Sequence, residues 1–176
     1  MSRVFSSLVL LFVLASEASA NVSSLPSDLQ AESPNLRLLG QGRMRWFGLH
    51  LYDATLWVQG WEWQWDRTFV LDIRYARSFS GGRIAEVSAE EMARLGFRDQ
   101  RKLVLWREQM RKAFPDVRDG DHITGVFRPG SGVEFFHQGR STAVIGDPEF
   151  ARAFFSIWLD PATREPKLRA ALLGQQ

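Results

Sequence analysis

The sequence predicts an α+β domain in which an antiparallel sheet has helices packed on one face. Strand-like and helix-like segments occur in blocks along the chain: strands, then two helices, then strands, then two more helices. Within both strand blocks the connections have hairpin length, which makes neighbouring strands antiparallel. Helices that follow such strands in blocks, rather than alternating with them, are typical of α+β architecture.

The first strand block begins with two strands across residues 36–58, joined by a tight turn. Within LHLYDATLWV, apolar or aromatic residues occupy every second position, which predicts one buried face; these are Tyr52, Ala54, Leu56 and Val58. A third strand is predicted in RTFVLDIRYAR, where Asp72 and Arg74 alternate with Phe69, Leu71, Ile73 and Tyr75.

The stretch GWEWQWD places three tryptophans at alternate positions just before that third strand. Their parity matches its apolar face, so we expect the strand to begin early, with Trp61, Trp63 and Trp65 extending the buried side. The alternative is an exposed aromatic lip through which a protein partner binds. Gly60 is expected to form the turn.

The helices follow from apolar residues at helical spacing and from their end signals. RIAEVSAEEMARLG ends at Gly96, and QRKLVLWREQMRKAF ends before Pro115. The second strand block comprises DGDHITGVF, VEFFHQG and RSTAVIG, separated by RPGSG and QGR. Asp147 is expected to cap the third helix, with Pro148 in its first turn, and a fourth is predicted over Glu165–Leu173.

Residues 1–20 have the pattern of a secretory signal peptide, with Arg3 before an apolar run and Ala18-Ser19-Ala20 as a cleavage site. The run is shorter than the roughly 20 residues of a membrane helix. No later stretch is apolar enough to span a bilayer. Cleavage would leave residues 21–176 as one domain, and export predicts a periplasmic or secreted location.

Composition and motif spacing exclude several classes of function. The 22 basic and 20 acidic residues are interspersed, which is unlike a nucleic-acid surface. The chain has no cysteine, and its histidines lack any paired ligand spacing, so no metal and no cofactor are expected. Gly139-Arg140-Ser141 is followed by a strand rather than a helix, which argues against a nucleophile elbow.

Arg43, Arg45 and Tyr52 form the candidate binding site that the residues themselves suggest. The two arginines flank the turn beside the strand that carries Tyr52. A guanidinium and a phenol at the mouth of an apolar cleft would suit a carboxylate or phenolate ligand. The alternative is that these are ordinary surface arginines.

Several segments in one order resemble the chalcone isomerase-like family, in particular its bacterial secreted branch. They are LLGQGRMRWFGLHLYDATLWV, the Gly120-Asp121 pair, RPGSGVEFFHQG, and AVIGDPEFARAFFSIWLD followed by LRAALLG. The resemblance covers most of the chain after Leu36. It implies an open-faced β-sandwich, a large antiparallel sheet covered on one face by helices with a ligand cleft between them.

Family members divide into isomerases, which cyclise chalcones, and non-catalytic fatty-acid binders. Tyr52 falls where the binders have tyrosine, and Thr142 matches a late threonine of the isomerases. The isomerase arginine aligns with Met44, between Arg43 and Arg45, and the isomerase tyrosine falls near Ile84, which cannot donate a proton. These departures favour binding over catalysis.

The sequence therefore supports three hypotheses. The first is a binding protein whose cleft holds a fatty-acid-like or aromatic acid, with Tyr52, an arginine and Thr142 at the polar end. The second is an intramolecular lyase of the isomerase type. The third is a structural or protein-partner module that uses the tryptophans.

Overall fold

Six strands pair in chain order to form one antiparallel sheet in the computed structural model, which describes residues 35–175. The strands are β1 (Leu36–Trp46), β2 (Leu49–Gln59), β3 (Phe69–Tyr75), β4 (His122–Arg128), β5 (Gly132–His137) and β6 (Arg140–Ile145). Each strand is hydrogen-bonded to the next, so the sheet is a meander with β1 and β6 at its edges. This confirms the predicted antiparallel sheet and both predicted hairpin blocks.

Four helices complete the described fold: α1 (Gly81–Arg94), α2 (Gln100–Ala113), α3 (Pro148–Leu159) and α4 (Pro166–Leu172). The first three begin at side-chain caps, supplied by Ser80, Asp99 and Asp147. Asp147 has a second role, because its other carboxylate oxygen accepts a hydrogen bond from Trp106 Nε1 at 2.9 Å. The start of α3 is thereby tied to the middle of α2.

The core lies between the sheet and the helices. Strand alternation sends Ala54, Leu56, Leu71 and Ile73 to this side, and all are buried. Phe155 of α3 packs on the stacked rings of Phe69 and Phe127, whose centroids are 4.6 Å apart, and other phenylalanines extend the cluster. The α+β open-faced sandwich predicted from the sequence is thus confirmed.

Helix α4 returns to the first strand, and two glycines permit the contact. A Cβ atom on Gly40 would lie 2.1 Å from the backbone oxygen of Ala171, and one on Gly42 would lie 2.6 Å from Leu168 Cδ1. Any side chain at Gly40 would collide with backbone atoms, which have little freedom to move. The last helix therefore covers the edge strand at very close range.

The opposite face of the sheet carries a second, smaller set of buried groups. Val70, Val126 and Phe136 form an apolar cluster there. Beside it the buried Asp72 accepts hydrogen bonds from Thr124 Oγ1 at 2.6 Å and pairs with His122 Nδ1 at 2.7 Å. Asp72 is therefore a paired, buried carboxylate rather than a solvated strand residue.

The tryptophan repeat is not part of a strand, so the expected early start of β3 is wrong. Gly60 turns the chain with a φ of +96°, and the backbone N–H of Gln59 donates to Thr68 O, which closes a loop over the intervening residues. Trp63 and Trp65 pack on each other and on Phe69 from this loop.

Trp61 differs from the other two tryptophans, because 84% of its surface is exposed. The Arg37 guanidinium lies 4.5 Å from its ring centroid. The three residues therefore form neither one buried strand face nor one exposed lip.

The predicted signal peptide, residues 1–20, lies outside the described residues, as does the polar segment that follows it. Among residues 35–175, no helix has both the length and the apolar character needed to cross a bilayer.

Candidate functional site

A small cavity lies in the layer between the sheet and the helices. Its volume is about 20 Å³, which is room for roughly one water molecule. The walls come from β3, β4 and β5 on one side and from α1, α3 and the segment after α2 on the other. They are Leu71, Ile73, Tyr75, Ile84, Ser88, Phe114, Ile123, Gly125, Phe135, Phe154 and Trp158.

Gly125 on β4 fixes the depth of the cavity floor. A Cβ atom there would lie 3.0 Å from Cζ of Phe155 and 3.4 Å from Cε1 of Phe135. The missing side chain allows these two rings to approach the sheet closely. A larger residue would push the phenylalanines into the cavity or away from the strand.

Two hydroxyl groups interrupt the apolar lining, one from the sheet and one from a helix. Tyr75 ends β3, and Ser88 lies on the inner face of α1. No residue in the described part of the chain hydrogen-bonds the Tyr75 hydroxyl. Burial raises the pKa of Tyr75 above its ordinary value. Tyr75 therefore lines the cavity as a phenol that is neutral at physiological pH.

Tyr52 lies next to this cavity but does not line it. Its hydroxyl oxygen accepts a hydrogen bond from Trp158 Nε1 at 3.0 Å, and its ring centroid is 6.2 Å from that of Tyr75. Burial raises the pKa of Tyr52 to about 12, and the hydrogen bond from Trp158 only partly offsets this. Tyr52 thus orients Trp158, which itself forms part of the wall.

Neither predicted arginine faces the cavity with Tyr52. Met44 is the residue paired with Tyr52 across the β1–β2 ladder, and Arg43 is paired instead with Asp53. Because strand residues alternate between faces, Arg43 lies on the side opposite Tyr52, where Nε donates to Asp53 Oδ1 at 2.9 Å. Arg45 is exposed beside the turn, with Nη1 3.5 Å from Gly48 O. The structure supplies no guanidinium to the cavity, and this corrects the electrostatics expected from the sequence.

Thr142 is also remote from Tyr52. It is the extra residue of a bulge on the edge strand β6, and its hydroxyl donates to Phe135 O at 3.2 Å. The strands that carry Tyr52 and Thr142 are separated by four strand spacings, about 19 Å. The four predicted site residues therefore do not converge on one ligand.

Two histidines pair with carboxylates on the other side of the sheet or at its end. His122 pairs with Asp72, and His50 Nε2 lies 3.0 Å from Asp53 Oδ1. Over residues 35–175, no cluster of three or more potential metal-ligating side chains is present.

The sequence matches the profile of the chalcone isomerase-like family over residues 17–174. The chain belongs to the chalcone isomerase-like family. An uncharacterized protein of Haemophilus influenzae is 26% identical over 138 residues, which are 78% of this chain and 67% of that protein. The fold is similar to the crystal structure of a fatty-acid binding protein of Arabidopsis thaliana. The TM-score is 0.60 at 12% identity, covering 80% of this chain and 87% of the other.

In this chalcone isomerase-like chain, the apolar residue Ile84 lies near the position where the resemblance to the isomerases implies a tyrosine. Ile84 lines the cavity from α1. None of the cavity-lining residues carries a charge. The lining thus contains no group that could stabilise a phenolate nucleophile by charge.

Sequence analysis missed Trp158 and Ser88 as site residues and treated Tyr75 only as core. The sequence did contain a signal for Tyr75 as a site residue, since its side chain lies on the same face of the sheet as that of Tyr52 and it ends the neighbouring strand. Trp158 is recognisable as part of the apolar stripe with Phe150 and Phe154. Its bond to Tyr52, 106 residues away, depends on how α3 crosses the sheet.

Proposed function

We propose that this protein is a non-catalytic binding protein for a small amphipathic ligand of the fatty-acid type. The ligand's apolar part would lie between the sheet and the helices, and its polar end would accept a hydrogen bond from Tyr75. The observation that carries the proposal is an uncharged, mainly apolar cavity between sheet and helices, whose lining includes the neutral phenol of Tyr75 and the hydroxyl-bearing Ser88. A few polar groups in an apolar pocket are typical of ligand sites.

Membership of the family and the similarity to a fatty-acid binding protein support this proposal. The fold likeness extends over 80% of the chain. The uncharged lining favours a ligand head that is a carbonyl or a protonated acid. A carboxylate anion held there would have no cation to compensate for its loss of water.

The size of the cavity sets a requirement on binding. At about 20 Å³ it is far smaller than the roughly 300–1,000 Å³ of typical ligand pockets. An acyl chain could therefore enter only if the helices separated from the sheet. Ile84 and Ser88 line the cavity from α1, so α1 is one of the elements that would have to move.

The test is native mass spectrometry of the purified protein with a series of fatty acids, followed by titration with a fluorescent fatty-acid analogue. Ile84→Ala removes part of the helix-side wall and is expected to increase affinity. Gly125→Ala adds a methyl group to the floor and is expected to decrease it. Opposite responses to these two variants would locate the ligand in the cavity.

Tyr75→Phe tests the polar contact, and Tyr52→Phe is a comparison variant that acts on the cavity wall only through Trp158. Both changes remove one buried hydroxyl, but only Tyr75 lines the cavity. We expect Tyr75→Phe to weaken binding by roughly tenfold, the value of one hydrogen bond to a buried polar group. Equal loss in both variants, or no binding by the wild type, would refute the assignment.

Cyclisation of chalcones is not proposed, because the cavity lining contains no arginine and has Ile84 near the place where the isomerases have tyrosine. A panel of chalcones with the wild-type protein checks this, and turnover above the spontaneous rate would reopen the question.

We propose in addition that the protein is exported, on the basis of the leader pattern in residues 1–20. Amino-terminal sequencing of protein from the periplasm or medium is expected to begin at Asn21.

A further inference from the structure

The hairpin between β1 and β2 ends in an exposed apolar tip, made of Trp46, Phe47 and Leu49. The exposed fractions of these side chains are 52%, 90% and 50%. The last β2–β3 ladder pair is Tyr52 with Tyr75, so the tip lies four residues, about 14 Å, beyond it. The tip therefore projects from the end of the sheet near Tyr52 and the cavity.

The turn at this tip uses a residue that its geometry disfavours. Phe47 and Gly48 have φ values of +46° and +79° between the paired Trp46 and Leu49, which is the signature of a type I′ hairpin turn. Asparagine, aspartate or glycine is preferred at the first position, and a bulky aromatic residue with positive φ is strained. The chain places its most exposed large apolar side chain at this position.

A second turn in the same chain shows that the geometry does not require an aromatic residue. Gln138 and Gly139 join β5 to β6 with φ values of +49° and +76°. There the first position is a polar residue, as is usual for an exposed turn. Phe47 is thus explained neither by the fold of its own turn nor by burial.

Basic side chains surround the tip. Arg45 reaches back to Gly48 O, and Arg77 Nε donates to His50 O at 3.1 Å, so both guanidinium groups lie close to the turn. Arg43 follows along β1, where it is paired with Asp53. Asp121, in the loop before β4, accepts hydrogen bonds from Arg118 N and Gln138 Nε2.

We propose that the tip is a docking element for the surface of an anionic lipid bilayer. Aromatic side chains prefer the headgroup region of a bilayer, and adjacent arginines are attracted to anionic lipids. This combination distinguishes a lipid surface from an apolar protein partner, which would not select the cations Arg45 and Arg77 beside the aromatic pair. The proposal goes beyond ligand binding and does not depend on it.

The experiment is cosedimentation of the purified protein with vesicles of equal parts phosphatidylglycerol and phosphatidylcholine, compared with vesicles of phosphatidylcholine alone. Binding is expected only to the anionic vesicles and should weaken as salt is raised. Phe47→Asn should reduce binding at least tenfold while the thermal midpoint stays equal or rises, because asparagine suits the turn. Arg45→Glu should reduce binding on the order of tenfold without changing the apolar tip.

Trp61→Ser is the matched control, because Trp61 is an equally exposed aromatic residue beyond the opposite end of β2. Its loss should leave vesicle binding unchanged. Brominated lipid should quench tryptophan fluorescence in the wild type, and Trp46→Phe should lose most of this quenching while still binding.

Three results would overturn the proposal. They are equal binding by Phe47→Asn and the wild type, equal binding to neutral and anionic vesicles, and a loss in Trp61→Ser as large as that in Phe47→Asn. A concentration-dependent dimer that Phe47→Asn abolishes, without vesicle binding by the wild type, would assign the tip to a second copy of the chain instead.

Discussion

The contact between Gly125 and Phe155 allows a quantitative test of how the site is packed. A Cβ atom at Gly125 would lie 3.0 and 3.2 Å from Cζ and Cε1 of Phe155, closer by about half an ångström than ordinary contact. Both residues are buried, and the strand conformation of Gly125 accepts alanine. Overpacking of this kind costs about 1–3 kcal/mol, and the reduced entropy of the unfolded chain returns about 0.4–1 kcal/mol. We therefore expect Gly125→Ala to lower the free energy of unfolding by about 1–2 kcal/mol.

Phe155→Leu should be destabilising on its own, by about 1.5 kcal/mol, because it leaves a space beside Phe69 and Phe127. Leucine lacks the two ring atoms that the new methyl group would touch. In the double variant the overlap disappears and the methyl group occupies part of the space. The combined loss should then be smaller than the sum of the single losses by about 1–2 kcal/mol.

Urea unfolding followed by circular dichroism measures all of these values. Gly82→Ala is the matched control, since a Cβ atom at Gly82 would meet only the Arg111 guanidinium, at 4.0 Å. It lies within α1 and should be neutral or stabilising by up to about 1 kcal/mol. Additive losses in the double variant would show that Phe155 does not rest on Gly125 as described.

Further predictions concern groups that are buried with their partners. Tyr52→Phe leaves Trp158 Nε1 without its acceptor and should cost about 1–3 kcal/mol by urea unfolding, but little in a Trp158→Phe background. Because the pKa of Tyr52 is raised to about 12 from 10.0, its contribution is complete below pH 10 and is lost as the pH rises towards 12. Stability should fall by about 2–3 kcal/mol over that interval, and Tyr52→Phe should fall less. Asp72→Ala leaves His122 and the buried Thr124 without their shared acceptor and should cost about 2–3 kcal/mol, against a much smaller change for the exposed Asp119→Ala.

The sequence predicted the fold well, because the relevant signals are local. The alternation that begins at Tyr52 and the cap at Asp147 each depend on a few neighbouring residues. The alternation of β3 misled where it was extended backward to Trp61, because the residues between Gln59 and Phe69 form a loop in which strand parity does not hold. Trp63 and Trp65 still reach the core, but from a loop.

The site was harder to predict, since its residues come from segments far apart in the chain. Tyr52 was placed correctly on the inner face, yet its partner Trp158 depends on the crossing of α3. Met44 shows how one strand position decides whether the site contains a charge. Its side chain faces the core, so the side chain of the neighbouring Arg43 lies on the opposite face of the sheet. No local pattern reports that Gly125 lets two phenylalanines approach the sheet, or that Ser88 faces the space they leave.

The close contact of α4 with Gly40 and Gly42 has a consequence for the order of events during biosynthesis. The edge strand β1 is made early, and the segment that covers it, Pro166–Leu172, is made much later. Until that segment has been synthesised, the face of β1 that carries Gly40 and Gly42 has no cover. A chain truncated before residue 166 should therefore expose the edge strand β1. We expect such a chain to self-associate rather than to fold normally without its last helix.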